Sequence, residues 1–197
     1  MIDWLQEDAT PYFPNTQLAH KEPNGLLAAG GMLTPAWLIT AYKRGIFPWF
    51  DDESPILWWS PAPRMILKAE HFHIGRSLRK LIRKTPYQFS CNLAFEEVIF
   101  QCAQARDDEA GTWITQEMEQ AYVRLNANNI SHSIECWSPQ GELIGGLYGI
   151  LINRVFYGES MFSRANNASK LAFAHFAQFL FDAGIELIDC QMHSDHM

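Results

Sequence analysis

Seven prolines interrupt the first 62 residues of the chain and rule out a long helix or strand there. Proline has no backbone N–H to donate, and its ring clashes with the preceding helical turn, so each one ends or bends a regular element. Beyond about residue 62 the pattern changes to runs with helical and strand periodicity. We therefore predict two domains, a small one over residues 1–62 that is mostly loops and a larger, regular one over 63–197.

The composition excludes several classes of protein. With 197 residues, of which 48% are hydrophobic, the chain can bury a core and is not predominantly disordered. No run approaches the roughly 20 apolar residues of a membrane helix, and no secretory signal opens the chain, so we expect a cytoplasmic protein with no membrane contact. Its four scattered cysteines fit a reducing compartment. The net charge of −7 means that any contact with RNA must be local.

One helix is well marked in the N-terminal domain. Thr34 can cap it, Pro35 suits its first turn and Gly45 suits the left-handed residue after its end, so we predict a helix from Pro35 to about Arg44. The aromatic residues after it, over 46–50 and 56–61, are too dense for an ordinary solvent-exposed loop. They either fill a core or line a site.

The larger domain alternates helices and strands. Apolar spacing and caps predict helices over 72–84, over 92–105, from Thr115 onward, and over 167–183. Strands are predicted over 133–137, 142–152, 155–162 and 185–190. The chain is therefore α+β. Helices followed by β-β-β-α-β resemble the acyltransferase fold of the GCN5-related N-acetyltransferases, with a mixed, mainly antiparallel sheet.

Two carboxylates stand out within these strands. Glu159 follows a strand pattern among apolar neighbours, where a charge is costly unless it is paired or useful. Asp189 ends a strand that should be buried, and sites form at strand ends in open sheets. Asp189 could orient an attacking amine or accept its proton, with Gln191 on the same face two residues later. The alternatives are a surface glutamate at a strand end and a hydrogen-bonded structural acid.

The sequence disfavours other nucleophiles and metal chemistry. Strand alternation turns Cys190 away from Asp189, so we do not expect it to act as a nucleophile. His193 and His196 form an H-x-x-H pair without a nearby glutamate, which makes a poor metal site. We therefore expect no metal.

The segment before the long helix over 167–183 argues against acyl-CoA as the donor. An acyl-CoA enzyme of this fold places a glycine-rich turn there, which exposes backbone N–H groups to the pyrophosphate. No glycine occurs between Gly158 and Gly184. The fold suggests acyl transfer, but we expect no CoA or other cofactor.

A basic ridge lies on the predicted helix over 72–84, opposite its apolar stripe. It comprises Arg76, Arg79, Lys80, Arg83 and Lys84. The ordinary explanation is a solvated helix face. Contact with phosphates becomes attractive only where a nucleic acid is expected for another reason.

Seven strings in order along the chain carry a resemblance to a known family. They are EPNGLLAAGG at 22–31, RGIFPWF at 44–50, PILWWSP at 55–61, GTWIT at 111–115, GGLYG at 145–149, GESMFSR at 158–164 and IDCQ at 188–191. Over nearly its whole length the chain resembles the leucyl/phenylalanyl-tRNA protein transferases. The resemblance implies a small N-terminal domain packed on an acetyltransferase-like C-terminal domain.

The resemblance also implies an activity. Leu or Phe, with Met as a further candidate, would pass from aminoacyl-tRNA to the N-terminal α-amine of proteins that begin with Arg or Lys. The product would enter N-end-rule degradation. The donor is already an activated ester, so neither ATP nor a metal is needed, and we expect a monomer.

Site residues follow from the same resemblance, position by position. Asp189 and Gln191 would assist attack by the amine, and Glu159 would help to position the aminoacyl adenosine or the peptide. Trp49 and Trp113 match the tryptophans that stack on adenosine and line the site. The pocket for the Leu or Phe side chain would comprise Leu147, Phe156, Met161, Phe173 and Ile188, a flexible apolar set. Arg76 and Lys80 would contact the tRNA acceptor stem.

The resemblance has one departure. Family members continue for some tens of residues beyond the Asp-Cys-Gln string, whereas this chain ends at Met197, so we expect it to lack a final strand region. Two rival functions stay open. One is an acyl-CoA-dependent N-acetyltransferase, and the other is a truncated aminoacyl-tRNA-binding protein without catalysis.

Overall fold

The computed structural model of the protein describes residues 2–110 and 114–192, with side chains left aside over 105–110. The N-terminal part holds a four-stranded sheet and one helix, α1 (Pro35–Tyr42). Its strands are β1 (Asp3–Leu5), β2 (Leu26–Gly30), β3 (Phe47–Pro48) and β4 (Leu57–Trp59), in the order β1-β2-β4-β3. The prediction of mostly loops around one helix holds for α1 and for the long irregular stretches, but it missed these four strands. They are too short to show a periodic pattern and form only by pairing with each other.

Packed aromatic rings form the core of this part. Phe13 lies edge-on against Trp58 with ring centroids 4.8 Å apart, and against Trp37 at 5.6 Å. Trp58 is fully buried, and its indole N–H donates to the Gly30 carbonyl at 2.8 Å. That bond removes the cost of burying a polar group, so the large ring can serve as core.

The C-terminal part is built on a six-stranded sheet. Its strands are β5 (Ile66–Lys68), β6 (Gln88–Cys91), β7 (Ser131–Trp137), β8 (Leu143–Ile152), β9 (Val155–Ser163) and β10 (Leu187–Asp189). The order is β5-β10-β9-β8-β7-β6, in which β9 and β10 run parallel and the other neighbours antiparallel. The predicted α+β class and the mixed, mainly antiparallel sheet are confirmed.

Helices cover both faces of this sheet. They are α2 (Arg76–Lys84), α3 (Phe95–Ala110), α4 (Gln116–Ala127) and α5 (Ala168–Asp182). α5 packs on one face, above Leu147, Phe156 and Ile188. α3 and α4 pack on the other, where the buried cluster runs without a break into the N-terminal aromatic core. The division at residue 62 stays a prediction, and one continuous core joins the two sheets.

Several predicted boundaries moved for identifiable reasons. α2 begins at Arg76 and not at 72, because Gly75 before it is extended (φ −61°, ψ 159°). α3 begins at Phe95 and not at 92, because Asn92 is left-handed (φ 58°) and accepts from the Ser133 N–H. The last strand starts at Leu187, since the Ile185 N–H still bonds back to Leu180 of α5.

Three helix ends follow the sequence signals closely. The Thr115 side chain accepts from the Met118 N–H at 3.2 Å and caps α4 as predicted. Gly45 and Gly184 are left-handed, at φ 70° and 86°, after the ends of α1 and α5. Thr34 precedes α1 in the extended conformation but makes no side-chain capping bond.

We expect Gly149→Ala to destabilise the sheet, because a Cβ there would lie 2.2 Å from the Tyr157 carbonyl oxygen and 2.5 Å from Phe156 Cζ. Neither neighbour can retreat inside the paired strands, so the overpacking should cost roughly 1–3 kcal/mol or more. Urea unfolding measures it. The control is Gly158→Ala across the β8–β9 ladder, where the nearest atom is 3.7 Å away. Equal losses in both variants would contradict the steric account.

Candidate active site

A β-bulge places Glu159 inside the protein. On β8 the consecutive residues Tyr148 and Gly149 pair with Ser160 and Gly158 of β9, so Glu159 is the extra residue of its strand. Such a bulge bends the strand and redirects one side chain. The Glu159 side chain points to the α1 and α4 side and is 8% exposed. The alternative of a surface glutamate is therefore excluded.

Two buried tyrosines hold this carboxyl group. Tyr42 of α1 donates to Glu159 Oε1 at 2.7 Å, and the Tyr122 hydroxyl of α4 lies 3.1 Å from Oε2. The two hydroxyl oxygens are 2.6 Å apart, which closes a ring of three contacts. The ring joins the N-terminal helix, a helix of the C-terminal part and the bulged strand at one point.

Proton counting fixes the state that suits this ring. Three contacts of hydrogen-bond length need three protons, and two tyrosine hydroxyls supply two. A protonated Glu159 supplies the third, so that each of the three oxygen–oxygen contacts contains one proton. Burial raises the pKa of Glu159 to about 7, against hydrogen bonds from both tyrosines and the charge of Arg64. Burial and the neighbouring carboxyl also raise the pKa of Tyr42 and Tyr122, which keeps both phenols neutral.

Asp189 lies at the end of β10 and is 5% exposed. Arg64 Nε donates to Asp189 Oδ1 at 2.8 Å and to Oδ2 at 3.1 Å. The Gln191 backbone N–H also donates to Oδ1, at 2.8 Å. Asp189 is in register with Tyr157 of β9, while its neighbour Ile188 pairs with Phe156 in the cluster under α5.

Gln191 connects the two carboxyl groups, but not by strand alternation. β10 ends at Asp189, and Gln191 turns back with a left-handed backbone at φ 61°. Its side-chain amide then donates to Glu159 Oε1 at 2.8 Å. The structure brings the three predicted residues Asp189, Gln191 and Glu159 together, and their roles stay predictions. The extended geometry predicted for Gln191 was wrong.

Sequence reasoning missed three residues of this site: Tyr42, Tyr122 and Arg64. Tyr122 had entered only as one apolar position of a helix, and a tyrosine in a buried stripe gives no sign of its hydroxyl partner. Arg64 comes three residues after the end of the PILWWSP string. Its isolated positive charge beside that string was the sequence signal that could have indicated a role in the site. Its guanidinium carbon lies 4.9 Å from the centre of the Phe47 ring, a cation–π distance.

The five predicted pocket residues fall into one apolar cluster. Leu147, Phe156 and Ile188 are 1–2% exposed, and Met161 and Phe173 pack around them. They lie on the α5 side of the sheet, opposite the Glu159 ring. The β9–β10 ladder ends at the Tyr157–Asp189 pair, while β9 continues to Ser163. Among the described residues β10 does not pair with β9 beyond that point, and we call the place where the two strands stop pairing the opening between β9 and β10.

The remaining predicted residues lie elsewhere or outside the described chain. Trp49 is 40% exposed and stands edge-on to Trp59 at 5.4 Å. Trp113 lies outside the described residues, as do His193 and His196. The described part of the chain holds no group of three His, Cys, Asp or Glu side chains able to bind a metal.

Cys190 and the basic ridge lie where their patterns indicate. Cys190 packs toward the α5 side, and burial together with Asp189 raises its pKa to about 11, so it is an unreactive thiol near neutral pH. The five cations of α2 are all exposed. Among the described residues, no helix is both long and apolar enough to cross a membrane.

Comparison of the sequence with known proteins identifies a family. The family model described as leucyl/phenylalanyl-tRNA protein transferase matches residues 66–197, and the model of that family's N-terminal domain matches residues 31–62. A protein of Saccharophagus degradans named leucyl/phenylalanyl-tRNA–protein transferase is 54% identical over 194 residues, which cover 98% of this chain and 79% of the relative. One of Azoarcus sp. with the same name is 51% identical over 197 residues, 100% of this chain and 83% of the relative.

Solved structures give a weaker likeness. The structure of L-PGS from Bacillus licheniformis is 11% identical and has a TM-score of 0.49; the match covers 85% of this chain and 55% of the L-PGS chain. The sequence matches are far stronger. By those matches the protein is an aminoacyltransferase. It belongs to the leucyl/phenylalanyl-tRNA protein transferase family.

We expect the stability of the protein to fall as the pH rises through about 7, because of Glu159. Its pKa is about 7 when folded against 4.5 when exposed, so the folded protein binds the extra proton between these values. The contribution is fully present below pH 4.5 and is lost above pH 7, on the order of 3 kcal/mol. Urea unfolding at a series of pH values measures it.

The control for this prediction is Glu159→Gln, whose amide cannot titrate. Partial burial lowers the pKa of His132 and of His175, which changes stability with pH in the opposite direction. These pKa shifts are common to both proteins. The difference between parent and variant therefore isolates Glu159. Parallel stability curves from pH 5 to 8 would show that Glu159 is not the source.

Proposed function

We propose that this chain transfers Leu or Phe, with Met as a further candidate, from aminoacyl-tRNA to the N-terminal α-amine of proteins that begin with Arg or Lys. The modified protein is then a substrate for degradation. One observation carries the proposal: Asp189, Gln191 and Glu159 form a connected polar group beside the opening between β9 and β10. Family membership supplies the donor and acceptor classes.

Asp189 has room for an amine. An ionised carboxylate offers about four acceptor positions. Arg64 and the Gln191 N–H occupy Oδ1, and Arg64 makes the longer contact to Oδ2. Oδ2 therefore keeps acceptor capacity for the attacking α-amine. Asp189 either takes the proton of that amine or holds the amine while a ribose hydroxyl of the tRNA shuttles the proton.

Glu159 has a positioning role in this proposal. Its neutral carboxyl is held by Tyr42 and Tyr122 and in turn holds the Gln191 amide. A second full negative charge beside Asp189 would favour the protonated ammonium form of the acceptor, which cannot attack. A neutral Glu159 avoids that effect and fixes the turn that carries Gln191.

The apolar cluster is the proposed site of the Leu or Phe side chain. A ligand in the opening between β9 and β10 can place its side chain toward Met161 and Phe173 and its carbonyl group toward Asp189. Methionine and aromatic side chains adapt to ligands of different shape. Such a pocket discriminates poorly between apolar side chains, which suits an enzyme that takes both Leu and Phe.

Trp49 and Trp113 are the proposed platform for the terminal adenosine of the tRNA. Trp49 exposes 40% of its surface although it lies next to the buried pair Phe47 and Pro48. Base stacking on an exposed tryptophan is favourable by about 1–3 kcal/mol. Phe47 beneath Arg64 ties this strand to the Asp189 end of the site.

We assign the C-terminal domain to the acetyltransferase-like folds on the strength of its β7-β8-β9-α5-β10 order. The N-terminus of α5 does not favour an acyl-CoA donor. Asn167 before it is left-handed, and the Ser169 N–H is taken by Ser163 Oγ at 3.3 Å. These contacts occupy backbone groups that would otherwise meet a pyrophosphate.

The proposal predicts label transfer from radiolabelled Leu-tRNA or Phe-tRNA to a protein with an N-terminal Arg. Asp189→Asn should lower kcat by roughly 10²-fold or more, with a much smaller change in KM, because the amide still fills the space but cannot accept the proton. Cys190→Ala, on the opposite face of the same strand end, is the matched control. Equal losses of kcat and binding in Asp189→Asn would argue against this role.

Charge reversal at Arg76 and Lys80 should weaken tRNA binding. The logarithm of affinity falls with the logarithm of salt concentration, and each lost phosphate contact makes this slope shallower by about 0.7–0.9. The double variant should therefore have a slope shallower by roughly 1.5. Filter binding from low to physiological salt measures the slope. Lys170→Glu, at an exposed cation on α5, shows how far a charge reversal outside the ridge changes the slope. An unchanged slope in the double variant would indicate that the ridge is an ordinary solvated helix face without tRNA contact.

A further inference from the structure

We infer that Arg64 is a catalytic residue of the transfer: it fixes Asp189 through Nε and donates through Nη2 to the carbonyl oxygen of the aminoacyl ester. The inference rests on the proposed function and names a residue that neither motif strings nor periodicity singled out. Its basis is the position of the guanidinium group between Asp189 and Phe47.

Arg64 is held rigidly on three sides. Its Nε contacts both oxygens of Asp189, and one face of the guanidinium covers the Phe47 ring. The next residue, Met65, is locked to the end of β10: its carbonyl accepts from the Cys190 N–H at 2.9 Å. The planar guanidinium is stiff, so fixing Nε also fixes the direction of Nη2.

Nη2 is the part of this group without a role in the fold. It is buried, and within residues 2–110 and 114–192 it has no hydrogen-bond partner. A buried donor left unpaired is unfavourable, and more so when the group is charged. An acceptor from the substrate would remove that cost, and the transfer brings such an acceptor to this place.

The geometry of the reaction locates the acceptor. An amine bound to Asp189 lies about 2.8 Å from its oxygen, and the carbonyl carbon under attack lies about 3–3.5 Å from the amine. The carbonyl oxygen is a further ~1.2 Å from that carbon. It therefore falls within a few ångströms of Asp189, where Nη2 is the available charged donor among the described residues.

The step balances without another reactant. The amine nitrogen forms a bond to the ester carbonyl carbon, and the carbonyl electrons move onto oxygen, where Arg64 stabilises the negative charge. The carbonyl then re-forms as the bond to the ribose oxygen breaks. The proton lost by the amine reaches that ribose oxygen, which leaves as a hydroxyl group. An amide and a free tRNA end result.

The test compares steady-state transfer of Phe from Phe-tRNA by the parent chain, Arg64→Ala, Arg64→Lys and Arg154→Ala. Arg64→Ala should lose roughly 10²–10³-fold in kcat, the usual effect of removing an oxyanion donor, with KM little changed. Arg64→Lys keeps the charge but not the planar pair of donors, and should lose at least about 10-fold. Arg154, which pairs with Glu186 just before β10, controls for loss of an Arg–carboxylate pair.

Chemical rescue separates catalysis from folding. Millimolar guanidinium added to Arg64→Ala should restore part of the lost kcat and leave Arg154→Ala unchanged, because the free cation can occupy the vacated place beside Asp189. Unchanged kcat in Arg64→Lys would overturn the inference. So would an Arg64→Ala variant that loses only thermal stability and is not rescued by guanidinium. In both cases, transfer by the parent chain would leave the proposed function standing. No transfer by the parent would remove both.

Discussion

The buried carboxyl of Glu159 is the constraint on which the rest of the structure depends. Its contacts reach α1 through Tyr42, α4 through Tyr122 and the end of β10 through Gln191. Removing any partner would leave a buried polar atom unsatisfied, at a cost of about 1–3 kcal/mol. These contacts hold the N-terminal sheet, the helical layer and the strand end in one relative position. The bulge in β9 places the Glu159 side chain where it can make them.

The two carboxyl groups of the site are neutralised in different ways. Asp189 faces the guanidinium of Arg64, and burial raises the pKa of Glu159 to about 7, which favours its protonated form below that pH. A site for an amine nucleophile benefits from this arrangement, since uncompensated negative charge would keep the amine protonated. Asp189 retains acceptor capacity for the amine, and the apolar cluster under α5 lies on the far side of the opening between β9 and β10. Polar and apolar faces of one sheet thus meet where a strand ends.

Much of the larger domain was predictable because its elements carry local signals. Periodicity and caps predicted α4, the β7-β8-β9 meander and α5 within a few residues, and the end of β10 marked Asp189. The short strands of the N-terminal part were not predictable, since two- to five-residue strands have no period to detect. Gln191 was predicted with the wrong backbone, because a left-handed residue other than glycine or asparagine leaves no local signal.

The sequence by itself determined the α+β class and the family, and it made Asp189, Gln191 and Glu159 candidates, because strand patterns and motif strings are local properties of the chain. Only the tertiary structure decided that Tyr42, Tyr122 and Arg64 belong with them. Their separations of 117, 37 and 125 residues from their carboxyl partners are bridged by packing alone. A hydroxyl or guanidinium acquires its role from what burial places beside it, and that partner is not written in its neighbours along the chain.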